Sequence, residues 1–570
     1  MFTVPLEAFL QMTIIHPYEK LMEQGVLREF QERMGKAMFV SHQWLNSKHP
    51  DPQCEQLRVL QKALKNALSG ASLVSLPPAI ELLLGRLKCP TPSEFKGQPL
   101  YLWYDYFCCP QGTSTEAADR RHQAIASIPE FVSRSYFFLI LCPAVPHAEG
   151  HLLSCSTWSS RGWCRLEKTV RDLAREDGYI ITVTSPNHLN LGWNMHGVGK
   201  APGLGSFSFE DDRARVGQVV LSLIWAKLQD SLREKDLHKY RFLLNLHHLH
   251  FAGIEGLDRV ESLIPDFSSD IDPASDPEAF IVARFLHDNC FKTVLERDSA
   301  GWSPLCYAVV NGDAFLVKAL LKSKADPNDR LSKNNKKVNL PKNMPVVCMA
   351  AAYYSNDVLE VLLAHRASVN ARCSQGATPL AWAASSDNAA AVGILSKNFA
   401  DPLIKVFPNT TPFRLACGFG SVAAVKEMLI EFPVRLRFCL HTSLVFFGDV
   451  GTVCCLIEAA ADVNEQFRLP YRNTWWFILN VLHARHYLSP SALTNLAYHH
   501  RGATPLMFSI LTGKFEIMSV LVKAGADLNC RNDRGKTAAD LLSEMHVPLS
   551  LSSAVLKLED GEDSDDSFSI

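Results

Sequence analysis

Apolar positions recur along this chain in two rhythms, and the rhythm changes near its middle. Over 1–36, Tyr18, Met22, Leu27, Phe30 and Met34 form a loose apolar stripe that predicts a mostly helical arm. From 37 onward, short apolar runs alternate with amphipathic stretches. Residues 37–41, 100–105, 136–142 and 179–184 predict buried strands. Between them, 53–68 places Leu57, Leu60 and Leu64 on one helical face, and 117–132 predicts a helix that Pro129 bends or breaks. Trp163, Leu166, Val170 and Leu173 then recur at helical spacing, with Ser159 and Ser160 as N-cap candidates. A last helix over 213–232 carries Val216, Val219, Val220 and Leu223 on one side. Strands separated by helical crossovers imply a parallel sheet covered on both faces, an α/β domain over 37–250. Ligands bind such sheets at the carboxyl ends of the strands, which here carry Ser41, His42, Asp105 and Cys142.

The 251–279 stretch, rich in Asp, Ser and Pro, reads as a linker. Beyond it the pattern repeats. Ser303-Pro304-Leu305, Thr378-Pro379-Leu380, Thr411-Pro412-Phe413 and Thr504-Pro505-Leu506 open successive units, and Thr378 to Thr411 and Thr504 to Thr537 each span 33 residues. Units close with Ala325-Asp326-Pro327-Asn328, Ala367-Ser368-Val369-Asn370, Ala461-Asp462-Val463-Asn464 and Ala526-Asp527-Leu528-Asn529. These openings, closings and period resemble the ankyrin family. The resemblance implies an all-α solenoid over 280–545, about six units with a degenerate cap from Gly535, and a surface that binds a partner protein. Two departures stand out: 329–344 lengthens one connection, and 465–501 inserts Trp475-Trp476-Phe477. The insert reads as a helical loop or a decayed repeat. Its aromatics either contact a partner or pack inward to close a gap. The tail over 546–570, with six acidic residues from Glu559, is expected to be disordered.

Composition narrows the partners and the compartment. The chain has 570 residues, room for roughly two to four domains. Lys and Arg number 57 against 59 Asp and Glu, a net charge of −2 that argues against nucleic acid or a membrane surface. Sixteen cysteines are scattered without any C-x-x-C, which points to a reduced intracellular home, cytoplasmic or nuclear. Residues 1–10 have no basic n-region, and the longest apolar run, 136–142, is too short to cross a bilayer.

Three motifs of the first half are similar, in order and spacing, to those of fungal heterokaryon-incompatibility (HET) domains. Phe39-Val40-Ser41-His42-Gln43-Trp44 resembles S-Y-x-W, and Leu102-Trp103-Tyr104-Asp105-Tyr106-Phe107-Cys108-Cys109-Pro110-Gln111 resembles L-W-I-D-x-x-C-I-x-Q. Arg161-Gly162-Trp163-Cys164-Arg165-Leu166-Glu167 resembles R-x-W-x-x-x-E. The likeness covers about 37–185, with His42 replacing the usual Tyr and the Gly-rich 192–205 lacking a counterpart. It implies a flavodoxin-like fold related to Toll/interleukin receptor (TIR) domains. Some members of that group cleave NAD, with a Glu at the position of Glu167 as the catalytic residue. On that resemblance Glu167 is the catalytic candidate, Ser41, His42, Trp44, Asp105 and Trp163 are substrate-binding candidates, and NAD is a substrate rather than a resident cofactor.

Such chemistry is physically coherent, because a carboxylate in a dry cleft stabilises an oxocarbenium-like transition state at the ribose. The blander alternatives are equally concrete. Glu167 and Arg171 form a favourable i,i+4 pair, the tryptophans fill a core, and Asp105 caps a turn. His238, His247, His248 and His250 lack a supporting carboxylate pattern, so no metal is assigned. Gly199–Gly205 is rejected as a phosphate loop because its Lys precedes the later glycines and no strand feeds it. Three functions remain open: an NAD-cleaving signalling enzyme, an adaptor whose first domain self-associates, and a pure ankyrin scaffold.

Overall fold

A computed structural model describes residues 1–149, 152–174, 177–192, 201–334, 340–471 and 473–544. The acidic tail, most of the Gly-rich 192–205 stretch and the middle of the 329–344 connection lie outside the described residues. No helix among the described residues is long and apolar enough to cross a membrane.

Among the described residues, nine strands belong to the first half: β1 (Phe2–Pro5), β2 (Arg28–Glu29), β3 (Lys36–His42), β4 (Leu100–Trp103), β5 (Ser135–Leu141), β6 (Val145–Pro146), β7 (Leu152–Leu153), β8 (Tyr179–Ser185) and β9 (His188–Leu191). Seven form one mixed sheet in the order β2-β1-β4-β3-β5-β8-β9. Its centre, β4-β3-β5-β8, is parallel, and the outer pairings are antiparallel. β3 and β5 are buried almost throughout, which explains why each reads as an apolar run rather than an alternation.

The expected helical arm over 1–36 is corrected. Phe2–Pro5 is a strand that pairs antiparallel with β4, with Val4 opposite Leu102, and Tyr18 and Leu21 pack into the same core as the sheet. The helix expected over 117–132 is two helices, Thr115–Ala126 and Ile128–Arg134, that meet at Ser127. Pro129 sits in the first turn of the second, where its missing N–H leaves no bond unmade.

The second half stacks helix pairs. Among the described residues, six pairs run from Pro304–Asn311 with Ala314–Lys322 to Pro505–Leu511 with Phe515–Lys523, and Ala538–Glu544 follows them. The Ser/Thr-Pro openings act as caps: Ser303, Thr378, Thr411 and Thr504 each accept from a backbone N–H of the first turn, and each is followed by Pro at the first helical position. The terminal asparagines of the units tie each finger to the next. Asn328 accepts from Ser368 N at 3.0 Å, Asn370 from Asp401 N at 3.0 Å, and Asn464 from Asp527 N at 2.7 Å. The last of these bonds skips 465–501. The insert is therefore looped out of the stack as a helical pair, Thr474–His486 and Ala492–His499.

The halves touch at several places. Helix Leu237–His250 packs on the first repeat: His238 contacts Asp298 and Tyr307, and Arg241 donates to the Asn289 and Cys290 carbonyls. The linker is held as a strap, with Val260 buried in the first core and Leu263 N donating to Tyr240. The looped-out pair packs on helix Pro78–Leu84, where Leu82 joins Leu479, Leu482, Leu493 and Ala497, and Arg485 pairs with the buried Glu81. Finally, the turn before Phe515–Lys523 reaches the sheet edge, with Phe515 5.7 Å from the His188 ring.

Candidate functional site

Two polar networks lie at the carboxyl ends of β3 and β4. Ser41 is fully buried, and its Oγ donates to Glu167 Oε2 at 2.5 Å. Trp158 Nε1 donates to Ser41 Oγ at 3.0 Å. On the other side, His42 stacks on Tyr104 with ring centroids 3.9 Å apart and meets Asp105 Oδ1 through Nε2 at 2.8 Å. Trp44 Nε1 donates to Asp105 Oδ2 at 2.8 Å, and the Tyr106 N–H donates to Oδ1 at 2.6 Å. Ser41 and His42 are successive strand residues, so their side chains leave β3 on opposite faces, which separates the two networks.

The two carboxyl groups are driven apart in acidity. Burial pushes Glu167 from its ordinary 4.5 up to about 8, with the charge of Asp105 adding to the effect, while the Ser41 hydrogen bond and Arg161 oppose it. For Asp105 burial alone would raise the value. The His42 charge and the hydrogen bonds from His42, Trp44 and Tyr106 outweigh it and hold Asp105 below its ordinary value. Asp105 keeps a 37% exposed side chain, so water also helps to keep it ionised. Near neutral pH the site thus holds one carboxylic acid and one carboxylate, the separation that acid–base sites use.

Glu167 owes its position to the start of its helix. Ser159 and Ser160 do not open it: their hydroxyls donate to the Ser156 and Thr157 carbonyls and close the short helix Cys155–Ser160. The chain breaks direction at Arg161, and Gly162–Ala174 begins behind it. The segment after the Gly-rich stretch clamps this break, with Gly162 N donating to Ser206 O at 2.9 Å and Ser206 N to Ser160 O at 2.8 Å. A Cβ on Gly162 would lie 2.0 Å from the Phe207 ring, and one on Gly205 2.5 Å from Gly162, so these glycines serve close backbone approach.

The structure brings Ser41, His42, Trp44, Asp105 and Glu167 to one end of the sheet. Trp163 faces elsewhere: its Nε1 donates to Asp212 Oδ2 at 3.0 Å on helix Asp211–Arg233. The indole that joins the Ser41–Glu167 network is Trp158, which sequence reasoning missed. A cap signal was available in Ser154-Cys155-Ser156-Thr157, where Ser154 and Thr157 bond reciprocally and start the helix that carries Trp158. Glu167 turns to Ser41, while Arg171 donates to the Asp177 carbonyl. Among the described residues no group of three or more His, Cys, Asp and Glu is placed to hold a metal ion.

The insert aromatics divide between the two readings. Trp475 packs inward: its Nε1 donates to Thr410 Oγ1 at 3.4 Å, and with Leu82, His441, Phe446, Leu479 and Leu493 it lines a cavity at the junction. Trp476 is half-buried, and Phe477 is 64% exposed. Val481, one turn beyond Phe477, and Leu488 are also exposed, at 51% and 88%.

Residues 300–331 match the family described as ankyrin repeat, and 496–542 match ankyrin repeats (many copies). The chain therefore contains ankyrin repeats. No curated protein matches it.

Proposed function

We propose that this chain is a protein-binding scaffold whose ankyrin half presents the looped-out insert to a partner and whose α/β domain keeps an acid site closed. The observation that carries this reading is the Asn464–Asp527 bond across 465–501, which keeps the stack continuous and projects Phe477, Val481 and Leu488 outward. Exposed aromatic and aliphatic side chains on a rigid helix pair are the kind of surface that supplies hot spots. Partner capture by proximity labelling tests it. Phe477→Asp abolishes labelling of the main partner and leaves the melting temperature within about 2 °C, as expected of an exposed position. Trp475→Ala does the reverse, lowering stability by about 2 kcal/mol because it empties space beside Leu82 and Leu479. Equal loss of labelling from both variants would contradict the division.

A second reading, NAD cleavage at the nicotinamide–ribose bond, is favoured by the Ser41–Glu167 pair at the end of β3, close enough to Asp105 for its charge to act on Glu167. The parallel strand order β4-β3-β5-β8 supports it too, since it is the flavodoxin-like order 2-1-3-4 expected of a TIR/HET-like domain. In the closed arrangement a protonated Glu167 offers no negative charge to an oxocarbenium-like transition state. Catalysis on this reading requires loss of the proton that burial holds on Glu167. The expected result is no nicotinamide release by the full chain at pH 7, and release by a clustered, opened form that Glu167→Gln lowers at least a hundredfold. Undiminished release by Glu167→Gln would end the catalytic assignment.

A further inference from the structure

Cys142 follows the last residue of β5 and is buried, and Cys155 opens helix Cys155–Ser160 and is half-buried. Their Sγ atoms lie 2.6 Å apart. Both are free thiols, and the gap is only about half an ångström beyond a disulfide bond. Thirteen positions separate the two cysteines, and the β6–β7 hairpin between them brings the chain back to the sheet end. Contact between Cys417 and Cys439 also occurs, but both are fully buried in the repeat core, where an oxidant has no access. Cys142 and Cys155 combine contact with a route to solvent.

We propose that Cys142 and Cys155 are a reversible modification site, a dithiol that a hydroperoxide converts to a disulfide. The Cys155 thiolate attacks one oxygen of hydrogen peroxide and the O–O bond breaks. Cys155 becomes a sulfenic acid, and the hydroxide released takes up a proton to form water. Cys142 Sγ then attacks Cys155 Sγ and the S–O bond breaks. The departing hydroxide leaves as water with the Cys142 proton. Two thiols and one peroxide give one disulfide and two waters: the sulfurs together lose two electrons and the peroxide gains them. A dithiol reductant reverses the change. The division of roles follows the surroundings. The contact with Cys155 and burial push the Cys142 thiol up, so the half-buried Cys155 is the attacking group and Cys142 the resolving one. Contact distance compensates for the low nucleophilicity of Cys142, since the second step is intramolecular.

The site lies next to the acid network. Trp158, one turn beyond Cys155 on the same short helix, is the residue that donates to Ser41. A disulfide fastens that helix to the end of β5 and holds the Trp158–Ser41–Glu167 arrangement shut. This consequence rests on the closed-site reading proposed above. Formation of the bond does not.

The test uses the full chain, reduced, freed of reductant and titrated with hydrogen peroxide, followed by differential alkylation and peptide mapping. Cys142 and Cys155 are expected to lose alkylation in parallel, at a dose at least about tenfold below that of the other cysteines, and to appear as one linked peptide that dithiothreitol separates. Cys155→Ser leaves Cys142 alkylatable at that dose, and Cys142→Ser leaves a sulfenic acid on Cys155 that dimedone traps. Oxidation of other cysteines while this pair stays reduced, or oxidation of Cys155 without linkage, overturns the proposal. Amide exchange over 155–160 reads the locking separately. It slows at least tenfold in the disulfide form, and unchanged exchange refutes the lock alone.

Discussion

Glu167→Gln is expected to stabilise the protein at neutral and alkaline pH, by about 3 kcal/mol at pH 7 and about 4–5 kcal/mol above pH 8. The folded value of about 8 lies above the ordinary 4.5, because burial disfavours the charge and the Ser41 hydrogen bond offsets only part of that. Between those values the folded chain holds a proton that the unfolded chain has released. The stability conferred by the protonated acid is complete below pH 4.5 and is lost as pH rises through 8. Glutamine keeps the acceptor for the Ser41 hydroxyl and does not titrate, so its curve lacks that slope. Denaturant unfolding of both proteins from pH 4 to 9 measures the difference, which should vanish near pH 4.5. Parallel curves would show that Glu167 is hydrated and ionised in the folded chain.

Arg485→Met should destabilise the protein by about 3 kcal/mol, an effect out of proportion to a residue on an insert. Glu81 is 4% exposed on helix Pro78–Leu84, and Arg485 from the looped-out pair is its direct partner. Arg86 Nε, 3.5 Å from the same carboxylate oxygen, is half in solvent and compensates in part. Loss of Arg485 leaves the buried carboxylate with the half-exposed Arg86 as its remaining ion-pair partner. A double variant, Glu81→Leu with Arg485→Met, should recover most of the loss, because replacing a buried pair with apolar groups of similar volume is close to neutral. Chemical denaturation of the single and double variants gives the coupling directly. Additive losses would mean that the two residues do not depend on one another.

The contrast between these two sites shows what a sequence can and cannot disclose. Ser41, Asp105 and Glu167 were readable because each follows a short apolar run or sits on a helix of clear period, and strand ends converge in a parallel sheet. The repeat caps were readable because Thr-Pro encodes its own hydrogen bond and its own φ. Phe2–Pro5 was hidden, since four residues followed at once by a helical stretch become a strand only through pairing with β4, almost a hundred positions away. Trp158 was hidden for a related reason. Its helix ends at Ser160, and what joins it to Ser41 is the return of the chain through β6 and β7. The Glu81–Arg485 pair lies 404 positions apart and has no local signature at all.

The central claim is that Glu167, half-buried beside Ser41, keeps its proton at neutral pH, and its carboxyl group can be titrated directly. The full chain labelled with 13C at glutamate side-chain carboxyls, compared with Glu167→Gln to identify the resonance, should show a carboxyl titrating near pH 8. A Glu167 resonance that titrates near 4.5 would contradict the account, because it would place the group in water.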